Sequence, residues 1–419
     1  MAHVRIDRER SSARIEHDIE TLAGPDYTLS DQAILRYAYT DAYRNTLAYF
    51  RREFEAIGFA VAEDPVGNFA ARNRPVGTPC FGVGSHCDSN RNGGKYDGTM
   101  GVVVALEVCR LAVEHDLDLP LQTISFLEEE GSGFGQMLLG SRIITGRVTE
   151  DDLRSRLRSL DDGRSFWEHA TAAGYEPERW RESARLLDDL TGWIELHIEQ
   201  ARVLQDTGSR LGIVTGIAGY VHGDITVTGR ADHAGGTPMG GRLDAGTVAA
   251  ECVLELERLA TAAGKGTVGT VGEIRFEPSL INVVPASARF SLDIRGTDEP
   301  TCRGVAADIV AFSEQAAARR GMTAAFVQRQ TAPPTPSDAA IVDALDAAAV
   351  AAGEPYRRMP SGAAHDSMAV ADRVPIAMVF VPCLDGISHN PAELAYPADG
   401  ALAAEVMLNA IAALQAGTS

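Results

Sequence analysis

The turn "GVGSHCDSNRNGGKYDG" (82–98) places His86, Asp88 and Asp97 among five glycines, behind an apolar run. Asp and Gly are turn formers, so an ordinary loop is one account of it. A second account follows from where the other histidines and carboxylates fall. His86 ends an apolar strand pattern over 81–86, and the acidic triplet Glu128, Glu129 and Glu130 follows a strand pattern over 121–127. His197 lies at the end of 192–198, and His389 follows 375–381 in "CLDGISHNPAE". Ligand crevices in open α/β sheets lie at the carboxyl ends of strands. Taken singly, a strand histidine is commonly a hydrogen-bonded core residue and a Glu triplet a solvated helix start. Gathered at one sheet edge, the carboxylates repel one another and require an offsetting charge. A pair of divalent cations supplies it, and mixed nitrogen and oxygen ligands suit Zn²⁺, Mn²⁺, Co²⁺ or Ni²⁺ better than Ca²⁺. Other chemistries lack their parts. "HIEQA" fails HExxH, there is no GxSxG elbow or GxxxxGK[ST] loop, and "GSGFG" (131–135) lacks dinucleotide spacing.

The elements that must position these groups read as alternating strands and helices. Helical length and periodicity cover 100–115, between the strands at 81–86 and 121–127. From about residue 217 the texture changes. "HGDITVTGRADHAG", "TVGEIRFEPSLINVVP" and "ARFSLDIRG" alternate apolar with polar residues, and helical patterns near 244–263 and 300–319 interrupt them. Alternation suits a sheet with one open face. "QTAPPTPSD" then reads as a Pro-rich crossing, after which "PIAMVFVPC" and a closing helix return to the α/β texture. The expected fold is therefore α/β, a mixed, mostly parallel sheet with helices on both faces. It is expected as a catalytic domain over 1–216 and 330–419, interrupted by a smaller α+β lid or dimerisation domain at 217–329.

Composition narrows the function classes. At 419 residues the chain exceeds one ordinary core, which favours two domains. The formal net charge of −20 argues against nucleic acid and anionic membrane surfaces. The 38 basic residues include only two lysines, Lys95 and Lys265, which leaves few candidates for Schiff-base chemistry. The opening "MAHVRIDRERSSARIEHDIE" reads as an exposed helix without a leader pattern, and no apolar run is expected to span a bilayer. Six scattered cysteines without CxxC pairs suit reduced thiols, so a cytoplasmic protein is expected. His3, His17, His115 and His169 are expected at the surface.

Seven ordered stretches between about 65 and 395 carry a resemblance. They are "GSHCDSNRNGGKYDG", "LEEEGSGFGQMLLGSR", "ELHIEQARVL", "GRADHAGGTPM", "INVVP…LDIR", "SGAAHDS" and "GISHNPAE". Together they resemble the M20-type metal-dependent amidohydrolases, in the branch of N-carbamoyl-L-amino-acid hydrolases, β-ureidopropionases and allantoate amidohydrolases. The resemblance implies two divalent metal ions per subunit. His86, Asp97 and His197 would hold one, and Asp97, Glu130 and His389 the other, with Asp97 bridging. Asp88 would orient His86, and Glu129 would be the general base. His233 would stabilise an oxyanion across a homodimer interface. Asn282 and Arg295 would grip the carboxylate of a ureido or carbamoyl acid, while Gln200 and the backbone of Gly362 to Ala364 would line the pocket. Departures from the family pattern are Cys87 in "HCD", the polar stretch "SNRNGGKYDG", "DHAGG" where "NHAGT" is usual, and Ala364 in place of glycine. They leave the implied ligands intact and bear on the substrate. An aminoacylase or dipeptidase of the same superfamily, and an inactive binding scaffold, are the competing readings.

Overall fold

A computed structural model describes residues 3–417, which fall into two compact units. The first comprises Met1–Thr215, Ser337–Met359 and His365–Ser419, and the second Gly216–Pro336 with Pro360–Ala364.

The first unit is built on a mixed sheet whose centre is parallel. Strands Leu121–Phe126, Cys80–His86, Leu190–Ile198 and Ile376–Val381 lie side by side in that order, each parallel to its neighbour. Three of the four are buried along their whole length and Leu190–Ile198 over its last seven residues, as strands covered on both faces must be. Phe69–Arg72 and Leu211–Ile217 extend the sheet antiparallel on either side. The chain runs from Cys80–His86 through helix Thr99–Glu114 to Leu121–Phe126, then crosses back to the other side of Cys80–His86. That reversal makes a topological switch point, with His86 and His197 at the ends of the two adjacent strands.

Helices Thr99–Glu114 and Pro397–Gly417 pack with Arg8–Leu22 and Ala339–Ala352 in the main core, and Leu139–Ile144 and Ser367–Val370 also pack on the sheet. Two expectations are corrected here. The N-terminal helix is not simply exposed: Ile15, Ile19 and Leu22 are buried among the core residues. The closing helix is long and apolar enough over Pro397–Ala416 to cross a membrane by composition, but 72% of that window is buried inside the protein.

The second unit is an antiparallel sheet in the order Ile274–Glu277, Ser287–Gly296, Gly219–Thr228, Thr323–Ala332. Strand Ser287–Gly296 alternates strictly. Ala288, Phe290, Leu292 and Ile294 join a core with helices Ala245–Ala263 and Glu299–Ala318, leaving Arg289, Ser291, Asp293 and Arg295 on the opposite face. Asp244 and Asp298 cap the two helices by accepting hydrogen bonds from backbone N–H groups in their first turns. The alternating stretch "TVGEIRFEPSLINVVP" holds two short strands, Ile274–Glu277 and Val283–Val284, and Pro278, which follows the first, has no N–H for the ladder. The unit also runs on to Pro336, past the expected end at 329, because strand Thr323–Ala332 carries through that point.

Candidate dinuclear metal centre

In the first unit, loop 87–98 turns back so that Asp97 faces the histidine that ends the strand. Two features of Gly98 allow this. Its φ is +62°, and a Cβ there would lie 2.2 Å from the His86 ring. Asp97 Oδ1 then lies 3.1 Å from His197 Nε2 and 3.6 Å from His86 Nε2. Its other oxygen, Oδ2, lies 3.4 Å from His389 Nε2, which is itself 3.4 Å from Glu130 Oε2. One carboxylate thus serves two groups of candidate ligands, His86–Asp97–His197 and Asp97–Glu130–His389.

Hydrogen bonds aim the histidines. His197 Nδ1 donates to the carbonyl of Ile198 at 2.9 Å, and His86 Nδ1 lies 3.2 Å from the carbonyl of Asp88. A carbonyl only accepts, so each Nδ1 carries a proton and Nε2 is the nitrogen that faces inward, free to ligate once its own proton is displaced. The two Nε2 atoms are 3.4 Å apart, an arrangement suited to a shared cation. Asp88 does more than face His86 Nδ1 at 3.4 Å. Its two oxygens accept the backbone N–H groups of Glu129 and Glu130, at 3.1 and 3.0 Å, and so hold the acidic loop against the histidine turn.

The electrostatics test whether ions fit. Burial pushes the Glu129 and Glu130 carboxyls well above their ordinary range, and neighbouring Glu130 and Asp97, respectively, push them further. Burial likewise raises Asp97, but the three histidines outweigh it and hold that carboxyl low. Burial opposes charge on His86 and His197, yet Glu129, Asp88 and Asp97 keep His86 well above the imidazole range, and Asp97 raises His197. Glu130 Oε1 is buried without a hydrogen-bond partner. Crowded carboxylates, inward-facing imidazole nitrogens and an orphaned oxygen are what a cationic centre satisfies, so the residues fit two divalent ions.

The remaining expected residues fall into two places. Gln200 stands in the first unit with φ +57°, its Nε2 donating to Asp97 Oδ2 at 2.9 Å and to Ser388 Oγ at 3.2 Å. In the second unit, His233 and Asn282 are 49 positions apart in the chain but adjacent in space. Asp232–His233 pairs with Val283–Val284, and Ala234 N–H donates to the Asn282 carbonyl. The N–H groups of Gly235 and Gly236 donate to His233 Nδ1, at 3.1 and 2.9 Å, which leaves Nε2–H as an outward donor. Arg295 lies against Asp293 through Nε and Nη2 and reaches the Gly362 carbonyl through Nη1 at 3.3 Å. Ala364 is half-buried in the same unit.

Several residues lie inside the quoted stretches but were given no role by them. Glu128, the first of the triplet, is no ligand. Its carboxylate, pushed up to about 7 by burial, accepts the N–H groups of Ala38, Gly133 and Phe134 and so shapes the loop that carries Glu129. Buried Glu195 accepts bonds from Ser85 and Ser367 beneath the strand ends, and the His365 ring lies 4.6 Å from the His197 ring at a tilt of 59°. Glu393 was legible only as the last letter of "SHNPAE".

Fold and site together define an α/β protein with a candidate dinuclear metal centre at a strand-end switch point. Residues 84–413 match the model of peptidase family M20/M25/M40. The chain is 36% identical to an N-carbamoyl-L-amino-acid amidohydrolase of Paenarthrobacter aurescens, over 97% of this chain and 99% of that relative. It is 32% identical to an allantoate amidohydrolase of Escherichia coli, over 85% of this chain and 87% of the relative. A hydantoinase/carbamoylase-family amidase from Burkholderia multivorans superposes with a TM-score of 0.86 at 31% identity, covering 98% of each chain. The chain belongs to peptidase family M20/M25/M40 and is a hydrolase acting on amide C–N bonds.

Proposed function

We propose that this hydrolase cleaves the carbamoyl C–N bond of an N-carbamoyl-L-amino acid, using Zn²⁺, Mn²⁺, Co²⁺ or Ni²⁺ in a dinuclear site held by His86, Asp97, His197, Glu130 and His389. The observation that carries the reading is the near-full-length similarity to an N-carbamoyl-L-amino-acid amidohydrolase. When bound, the ions supply carbonyl polarisation and an acidified water. Glu129, 5% exposed and 3.7 Å from His86, takes a proton from the attacking water and returns it to the leaving nitrogen. The amino acid leaves as its amine, and the carbamate that remains falls to CO₂ and ammonia. His233 Nε2–H donates to the oxygen that gains charge. Asn282 and Arg295 bind the carboxylate of the acid, with the Gly362–Ala364 backbone and Gln200 lining the site.

The second reading is allantoate hydrolysis, favoured by the similarity to the E. coli allantoate amidohydrolase. One experiment separates them. Chelator-stripped protein, inactive as expected, is reloaded with each of the four ions. It is then given N-carbamoyl, N-formyl and N-acetyl amino acids, dipeptides, ureidopropionate and allantoate, with ammonia detection. Ammonia from N-carbamoyl amino acids supports the first reading, and ammonia from allantoate alone replaces it with the second.

Arg295→Ala tests the carboxylate grip. A charge-assisted hydrogen bond contributes about 1.5–3 kcal/mol, so kcat/KM should fall about 10- to 100-fold, mainly through KM. Carboxamide analogues of the substrate should lose nothing further. An equal loss on both substrates assigns Arg295 a structural role.

We also propose a cytoplasmic homodimer. Six buried free cysteines accord with a reducing compartment. Met239, Leu280 and Ile281 are exposed apolar residues in the loops that carry His233 and Asn282, which accords with a second copy covering them. If His233 acts in the partner's site, His233→Ala and Glu129→Gln homodimers are each nearly inactive, and mixed dimers regain activity at the one site with both wild-type groups. Mixed dimers that form and stay inactive exclude action across the interface.

A further inference from the structure

Glu393 lies outside the ligand set, yet it is 3% exposed and engaged with the bridging residue on two sides. Its Oε1 accepts hydrogen bonds from the backbone N–H groups of both Tyr96 and Asp97, each at 2.9 Å. Its Oε2 lies 3.1 Å from Ser388 Oγ, and the same hydroxyl lies 2.8 Å from Asp97 Oδ2. The close approach depends on a glycine. A Cβ at Gly94 would lie 2.4 Å from both the Cβ and Oε1 of Glu393, so any side chain there displaces the carboxylate. Ser388, His389 and Glu393 belong to one short segment, "SHNPAE". The segment that supplies His389 therefore grips the bridging aspartate by its main chain and by its side chain.

We propose that Glu393 is a positioning residue for the dinuclear centre. It clamps the main chain at 96–97 so that Asp97 turns Oδ1 toward His86 and His197, and Oδ2 toward Glu130 and His389. A bridging carboxylate must aim both oxygens at once, so a rotation of its backbone misplaces it for both ions. Partners behind metal ligands are worth about 10- to 100-fold in affinity. The inference rests on the metal centre in the proposed function and deepens it, without depending on which amide is the substrate.

The test measures the affinity of chelator-stripped, full-length protein for Mn²⁺ or Zn²⁺ by competition with a chromophoric chelator. Amide hydrogen exchange at Tyr96 and Asp97 and the metal-free Tm are measured alongside. Glu393→Ala should weaken metal affinity about 10- to 100-fold and speed exchange at those two amides. Glu393→Gln, whose amide oxygen can accept the same two N–H bonds, should restore most of the affinity and the protection. An alanine variant that folds and binds metal like wild type overturns the proposal. So does a glutamine variant as weak as alanine, since a clamp needs the oxygen and not the charge. If the alanine variant does not fold, Gly94→Ala decides: weakened binding supports the clamp, and wild-type affinity overturns it. Wild-type protein that binds two ions and hydrolyses no carbamoyl compound removes the substrate reading and leaves the clamp standing. Wild-type protein that binds no divalent ion removes both.

Discussion

Glu129→Gln is expected to keep both metal ions and lose nearly all turnover, with kcat falling about 10²- to 10⁴-fold, the range of positioned acid–base groups. The side chain is nearly isosteric, and its backbone N–H stays bound to Asp88 Oδ1, so the loop should hold its shape. What disappears is the carboxylate that can hold a proton between water and the leaving nitrogen. Burial favours the protonated form of this group, with Glu130 adding to it and His86 opposing, and bound cations would reverse that balance. Metal content by elemental analysis and kcat on the best substrate of the panel check the result together. Near-normal kcat would remove Glu129 from the role of base, whereas loss of metal would move it into the ligand set.

Asp97→Asn should be more damaging, because both groups of ligands share this residue. The amide keeps one oxygen and offers an N–H₂ where the second lone pair was needed. Since partners behind ligands are already worth about 10- to 100-fold in affinity, loss of a shared ligand should exceed that for each ion. The protein should purify with less than one ion and no measurable turnover. The pH dependence of binding in the wild type follows from the same geometry. Without metal, His86 and His197 hold protons above the ordinary imidazole value of about 6.5, and Glu129 and Glu130 hold theirs above the carboxylate range. Metal must expel those protons, so its apparent affinity should begin to fall while pH is still above the ordinary imidazole value and keep falling as pH is lowered further. Calorimetry in buffers of different ionisation enthalpy would read the proton release directly. An affinity that rises as pH falls would contradict this account of the site.

The strands that end in His86 and His197, the strand before the acidic triplet, and the helix after Asp97 are all legible in the sequence. The strands are short, mostly apolar runs and the helix a longer one, and burial on both faces suppresses an alternating pattern. The change from continuous to alternating strands near 217 is legible for the same physical reason, since one face of the second sheet packs on helices and the other meets polar groups. Strand ends in the sequence also brought His86, Asp97, His197, His389 and the acidic triplet to one sheet edge, because side chains at the carboxyl ends of parallel strands converge, and the family resemblance is what implied Glu130 as the ligand. Strand and charge patterns by themselves did not separate Glu128 from Glu129; only the resemblance assigned Glu129 a role. Only tertiary packing turns one inward to three backbone N–H groups and leaves the next facing His86. Nor did the sequence show that Asp88 ties two loops together, that His233 and Asn282 are neighbours, or that Glu393 closes on Asp97 from 296 positions away. Those contacts depend on backbone N–H groups, which every residue but proline carries and no residue type announces. The identity of the ligands resides in side chains and can be read in one dimension. Their aim is set by main-chain hydrogen bonds between distant segments, which exist only once the chain has folded.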